Sequence, residues 1–345
     1  MMKKSTFHAA LATLAAITST ACLQSVADTV HLKDGSHLIG TIVSKKDDTL
    51  VLKTSFAGNL SITWSEVASI ETDETARFML KDKSLFEAQA SSGGNESVIL
   101  KGQNVVTTSP VDLADVAYIN PPPEVTGEGL NITGRANVGL TSNRGNTHND
   151  QLFYDAEALI RGLKNRFTIG ATGERKKEEG TETARSNRAY FKYDHFISEK
   201  WYAYANTDVE EDEFKDLNLR TTLGAGSGYQ FFETPRRQLS LEGGLSYVHN
   251  DYILAEDDGY GAGRWAVRYS EYLFGTSTQF FHNHEGLASL DTIEDTIIRS
   301  QTGVRFPLLT NLSGTIQYDV DWNNNPPAGY KNTDTSYIVS VGYHW

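Results

Sequence analysis

The sequence has little of what usually classifies a protein at first sight. It contains a single cysteine, Cys22, among 345 residues, which excludes an internal disulfide and a thiolate zinc cluster. Past the N-terminal stretch no segment approaches the ~18 uninterrupted apolar residues that a membrane-spanning helix needs. Positive charge is scarce, with 31 Lys and Arg against 44 Asp and Glu. That balance argues against binding a phosphate backbone, so no nucleic-acid partner is expected. Averaged over the chain, 39% hydrophobic residues and a mean hydropathy of -0.40 describe an ordinary acidic soluble protein of two or three domains. Averages discard order, and the order says something else.

The first 27 residues have the layout of a secretory signal peptide. Lys3 and Lys4 are followed by an Ala-rich apolar stretch from Phe7 to Ala21, and Ser25-Val26-Ala27 places small residues before Asp28. A lipid anchor on Cys22 would want a Leu-like residue three positions earlier, where Ser19 stands. Cleavage after Ala27 leaves no cysteine, which suits an oxidising compartment.

Residues 28–120 carry an internal repeat. Leu32-Lys33-Asp34 returns as Leu80-Lys81-Asp82, Val51-Leu52-Lys53 as Ile99-Leu100-Lys101, and Val67-Ala68-Ser69-Ile70 as Val116-Ala117-Tyr118-Ile119. Short alternating runs separated by Asp34-Gly35 and Lys46-Asp47-Asp48 read as strands and turns. Each ~48-residue repeat is expected to be a small bent sheet, SH3-like or Sm-like, stacked on its twin. The unit would serve as a periplasmic binding module or a spacer, so a periplasmic partner stays open. Pro121-Pro122-Pro123 opens a stiff linker over 121–129.

From residue 130 to 345 the pattern becomes a series of long alternating strands. In 217–231 the set Leu217, Leu219, Thr221, Leu223, Ala225, Ser227, Tyr229, Phe231 is apolar or small, against Asn218, Arg220, Thr222, Gln230 and three glycines. Period two over that length gives one apolar and one polar face. Twelve such strands are expected, near 130–141, 150–161, 165–175, 186–197, 200–211, 217–232, 238–250, 263–273, 276–285, 296–307, 311–322 and 334–345. Connections alternate between short turns and longer polar segments, the latter around 142–149, 176–185, 212–216, 251–262, 286–295 and 323–333. An even strand number with short turns on one rim and long loops on the other is the arrangement of an outer-membrane barrel. Both barrel ends then lie on the periplasmic side, with the first domain. Trp201, Trp265, Tyr269, Phe231, Tyr343 and Trp345 are expected near strand ends as interfacial girdles.

The run Tyr193-Asp194-His195-Phe196-Ile197-Ser198-Glu199-Lys200-Trp201-Tyr202, with Asp212-Glu213-Phe214-Lys215-Asp216-Leu217 and Gly228-Tyr229-Gln230, resembles the bacterial family called domain of unknown function 481. Its members include salt-induced outer-membrane proteins. The resemblance covers most of 130–345 and implies a Gram-negative outer-membrane β-barrel, with no catalytic motif to carry over. The alternating terminus Tyr337, Val339, Val341, Tyr343, Trp345 resembles the C-terminal signal read by the barrel assembly machinery.

The expected fold is therefore all-β: a 12-stranded antiparallel transmembrane barrel preceded by a small periplasmic β-domain of two repeats. Its polar face would line a lumen, narrow or blocked at twelve strands, with Arg135, Arg188, Arg220, Arg264, Arg268, Arg299 and Arg305 as the lining cations and Asp155, Glu157, Asp194, Asp208, Glu242, Asp319 and Asp321 among the anions. The role expected is passive, a narrow solute channel or a structural, stress-related component, in contact with outer-membrane lipid and lipopolysaccharide. Acidic groups at Glu178, Glu179 and Glu182, at 210–213, and at Glu256, Asp257 and Asp258 could bridge to lipopolysaccharide through divalent cations or form a solvated loop surface.

No cofactor, metal or catalytic residue is expected. The alternative is a phospholipase- or protease-like barrel enzyme, for which His249, Asn250 and Asp251 with Ser246 or Ser270 are the available groups. His282 and His284 share one side of a strand and could hold a metal, but no third ligand is visible.

Overall fold

The computed structural model describes residues 27–94, 96–102, 107–143, 148–234, 236–273, 277–292, 295–327 and 329–345. The expected leader, with Cys22, lies outside the described residues except for Ala27.

The first repeat builds β1 (Asp28–Leu32), β2 (His37–Lys46), β3 (Thr49–Thr54), β4 (Gly58–Thr63), a 3-10 turn at Trp64–Glu66 and β5 (Val67–Glu71). The second repeats that order with β6 (Ala76–Leu80), β7 (Leu85–Gly94), β8 (Ser97–Gly102), β9 (Val111–Asp112), a 3-10 turn at Leu113–Asp115 and β10 (Val116–Ile119). The first hairpin turns match as well. Asp34 Oδ1 accepts the Ser36 N–H at 2.8 Å, and Asp82 Oδ1 accepts the Ser84 N–H at 2.9 Å. These backbone donors favour the charged form, so each carboxyl titrates below the usual carboxylate range.

The twins do not simply stack. Strand β10 of the second repeat pairs with β2 of the first, through Ile119 and Lys45, which joins ten strands into one sheet. One core results: Val30, Leu50, Leu52 and Ile70 pack with Phe78, Leu100 and Ile119, all sealed from solvent. Burial of each such side chain contributes roughly 1.5–3 kcal/mol. Lys45 and Trp64 tie the repeats further, Lys45 Nζ donating to the Val116 and Ala117 carbonyls at 2.5 and 3.0 Å and Trp64 Nε1 to the Leu113 carbonyl at 3.1 Å. The proline run leads into a single helical turn, Pro123–Thr126, ended by Gly127 at φ 77°, a left-handed position that favours glycine.

Twelve strands then close into a barrel: β11 (Asn131–Asn143), β12 (Asn149–Arg161), β13 (Asn165–Glu178), β14 (Thr181–Phe196), β15 (Trp201–Asp212), β16 (Leu217–Glu233), β17 (Arg237–Tyr252), β18 (Asp258–Tyr272), β19 (Gln279–Ser289), β20 (Thr296–Leu309), β21 (Leu312–Asn323) and β22 (Thr333–His344). Each pairs antiparallel with the next, and β22 returns to β11 with Arg135 opposite His344. At this seam Gly134 and Trp345 exchange both backbone hydrogen bonds, each 3.1 Å long.

Two expectations need correction. The loop expected at 176–185 is a tight hairpin, Glu179-Gly180 with φ of 49° and 82°, the paired positive angles of a hairpin turn. Charged residues there broke the apolar alternation, yet backbone pairing continues past the apolar belt and Arg175 pairs with Glu182 across it. Trp265 is also not at a strand end. It sits in the middle of β18, its ring packed over Gly286 of β19.

Candidate functional site

Alternation sorts the barrel's side chains into two sets. Outward stand residues such as Leu140, Leu245 and Val339, at 75%, 63% and 71% exposure. Inward stand most of the strand-borne charges, the outward ones such as Arg175, Arg185 and Arg237 lying toward strand ends, and all seven arginines named from the sequence are on the inner side.

Their partners are now visible. Arg135 reaches Asp155 at 3.1 Å and Glu157 at 2.6 Å. Arg188 binds Asp208 at 2.5 Å and Glu285 at 3.0 Å. Arg264 lies between Glu242 at 3.0 Å and Glu285 at 2.7 Å. Arg299 pairs with Glu210, which Arg220 approaches at 3.5 Å. Arg268 meets Glu157 at 3.0 Å. Arg305 differs: its Nη1 donates to Gln279 at 2.6 Å and its guanidinium lies over the Phe281 ring.

Several of these bonds cross the lumen instead of running along the wall. Arg268 and Glu157 belong to β18 and β12, Arg188 and Glu285 to β14 and β19, and Arg299 and Glu210 to β20 and β15. Between them the interior keeps a cavity of about 270 Å³, lined by Arg135, Glu157, Arg188, Arg264 and Glu285 among others. Charges in a low-dielectric interior persist when they are paired and hydrogen-bonded, and here carboxylates are shared. Glu157 also accepts from Tyr190 Oη at 2.7 Å, and Glu242 from Tyr202 Oη at 2.8 Å as well as from Lys192.

Two of the central anions are hard to recognise in the sequence. Glu285 follows the run Phe280-Phe281-His282-Asn283-His284, which has no clean alternation to show which way it faces. Glu210 falls on the polar side of its alternating strand, but the acidic residues that follow it also give it the look of a loop group. The parity it shares with Tyr202 and Tyr204 puts it inside.

The other candidate groups are dispersed. His249 is on the outer face of β17, while Asn250 and Ser246 are buried on the inner face, so the sheet backbone separates them. Ser270 is near the opposite end of the neighbouring strand β18. His282 and His284 also stand outward, in a hydrogen-bonded row: His282 Nδ1 with Thr302 Oγ1 at 2.8 Å, His284 Nδ1 with Ser300 Oγ at 2.7 Å, and Trp265 Nε1 donating to His284 Nε2 at 3.0 Å. The acidic groups around the loops are largely engaged locally: Glu213 with Arg185, Asp257 with the Tyr252 N–H, Asp258 with Asn250. The remaining aromatics cluster at strand ends, as with Trp201 edge-on to Tyr229 and Tyr229 edge-on to Phe231.

Comparison with known proteins gives one family match and several solved barrels. Residues 136–345 match the family described as "Protein of unknown function, DUF481". No curated protein matches the chain. Among solved structures it is similar to the translocator domain of the autotransporter NalP from Neisseria meningitidis, with 17% identity and a TM-score of 0.34 over 63% of this chain and 88% of that one. It is also similar to the NanC porin, at 9% identity and a TM-score of 0.40 over 62% and 99%. A third is the beta domain of the Bordetella autotransporter BrkA, at 10% identity and a TM-score of 0.32 over 63% and 99%.

Proposed function

The chain belongs to the DUF481 family, and from that premise we propose that it is an outer-membrane barrel whose interior is closed by ion pairs, with a structural envelope role and no enzymatic one. The membrane assignment rests on the outer face. A closed ring has no free strand edge, so its backbone polar groups are satisfied within it, and an apolar belt with aromatics at its margins is suited to lipid and lipopolysaccharide contact. The N-terminal sheet then lies in the periplasm, and Trp345 is the residue offered to the barrel assembly machinery.

The closed interior rests on the contact between Arg268 and Glu157, reinforced by the one between Arg188 and Glu285, which join strands on facing walls. The 270 Å³ cavity is below the ~300–1,000 Å³ of typical small-molecule sites, so water fits there and a bulky solute does not.

Folded protein in planar bilayers tests this. The wild type should give no discrete conductance, and Arg188→Ala with Arg268→Ala should open measurable steps. Stepwise conductance by the wild type would refute the closed interior and favour the narrow channel, whose ion preference Arg264→Glu with Arg268→Glu would then shift.

A further inference from the structure

We propose that His31 and His37 form a chelating site for a divalent transition-metal ion of the copper(II) or nickel(II) kind on the N-terminal sheet. The two residues face each other across the first hairpin, His31 on β1 and His37 on β2. The Leu32 N–H donates to the Ser36 carbonyl at 2.9 Å, which makes the next pair outward, His31 with His37, a non-hydrogen-bonded one. At such positions facing side chains come closest.

The rings use that closeness. Their Nδ1 atoms are 2.7 Å apart, with centroids at 4.6 Å and planes crossed at 81°. Two neutral imidazoles can share one proton in that space, or both can offer lone pairs to one ion. With metal–nitrogen bonds of about 2.0–2.1 Å, a 2.7 Å bite subtends about 80° at the metal. That is near the right angle between adjacent ligands in tetragonal copper(II) or nickel(II) sites and well short of the tetrahedral angle.

Glu71 supplies the outer partner. Its Oε1 is 3.9 Å from His31 Nε2, a nitrogen with no hydrogen-bond partner of its own. A carboxylate there favours a proton on Nε2, which leaves the Nδ1 lone pair free for the ion, as carboxylates bonded to the far nitrogen of a ligating histidine do in metal sites. The site is half open. His37 is exposed, and no cluster of three or more metal-binding side chains occurs among the described residues, so water would complete the coordination.

The internal repeat shows that the hairpin does not need this pair. At the same register in the second hairpin stand Met79 and Leu85, on a turn with the same Asp-to-Ser hydrogen bond. The double substitution His31→Met with His37→Leu copies a pair already carried by this fold, which makes it a folding-safe deletion of the site.

The test uses the full chain, folded in detergent and stripped with a chelator, titrated with copper(II) chloride and read by calorimetry and electron paramagnetic resonance. One equivalent should bind with hyperfine structure from two nitrogens. The His31→Met/His37→Leu variant should lose that equivalent, while His282→Asn with His284→Asn should keep it. Glu71→Gln should weaken binding roughly tenfold with the two-nitrogen signature intact. If the His31→Met/His37→Leu variant, with unchanged heat-shifted gel mobility, binds copper as the wild type does, or if the wild type shows no such equivalent, the proposal is overturned.

Discussion

Arg268 on β18 and Glu157 on β12 meet at 3.0 Å from strands six places apart in a ring of twelve. The Glu157 carboxylate takes two further donors, Arg135 at 2.6 Å and Tyr190 at 2.7 Å. Three elements that are distant in sequence therefore depend on one side chain. Arg268 is itself 43% exposed, but Arg135 and Glu157 are mostly buried, and removing one partner of a buried ion pair leaves an uncompensated charge at a cost of about 3–5 kcal/mol.

Glu157→Gln is accordingly expected to lower the unfolding free energy of the barrel in micelles, read from urea titration, by an amount near that range. Glu182→Gln serves as the control, because its partner Arg175 is half exposed and such pairs contribute about 1 kcal/mol or less. Equal shifts for the two variants would show that the cluster around Glu157 has no special weight.

Glycines opposite aromatics carry a second prediction. Tyr190 of β14 lies over Gly170 of β13, and a Cβ at Gly170 would come 2.2 Å from its ring. The ring cannot swing freely, since its hydroxyl is bonded to Glu157. Gly170→Ala should thus destabilise the barrel by about 1–3 kcal/mol, the usual cost of overpacking. It should also move the Tyr190 signals in a spectrum of the folded protein. An alanine accepted with neither effect would mean that the ring relaxes outward at no cost.

What the sequence disclosed follows from which properties are local. Strand β16 is legible because Leu219 to Phe231 alternates with hardly a break, although a bulge leaves Leu217 buried and off that face, and the N-terminal repeat because Leu32-Lys33-Asp34 and Leu80-Lys81-Asp82 keep their spacing. Strand β19 was not legible in parity, because Phe280 and Phe281 are adjacent yet face opposite sides. The partners of Arg188 and Arg268 were hidden for another reason. Which walls face each other depends on ring closure and stagger, which no single strand records. The pairing of β10 with β2 is likewise a matter of strand order, so the repeat predicted two small sheets where the chain forms one.

Lys45 yields the last prediction, on pH. Burial against the second repeat disfavours its charge and brings the ammonium down to about 8 from 10.5, with Asp47 and Asp48 opposing that shift. Below pH 8 the group is protonated in both folded and unfolded chains, and the folded state carries the desolvation cost in full. Between pH 8 and 10.5 the unfolded chain binds more protons, so stability rises with pH. Above 10.5 both forms are neutral and the gain is complete. Amide exchange at β10, corrected for intrinsic rates, should therefore show protection increasing across that window in the full-length protein. Lys45→Met should flatten the rise. A profile that falls between pH 8 and 10, with Lys45 intact, would mean that its hydrogen bonds to the Val116 and Ala117 carbonyls and its place 5.1 Å over the Trp64 ring outweigh the cost of burying its charge.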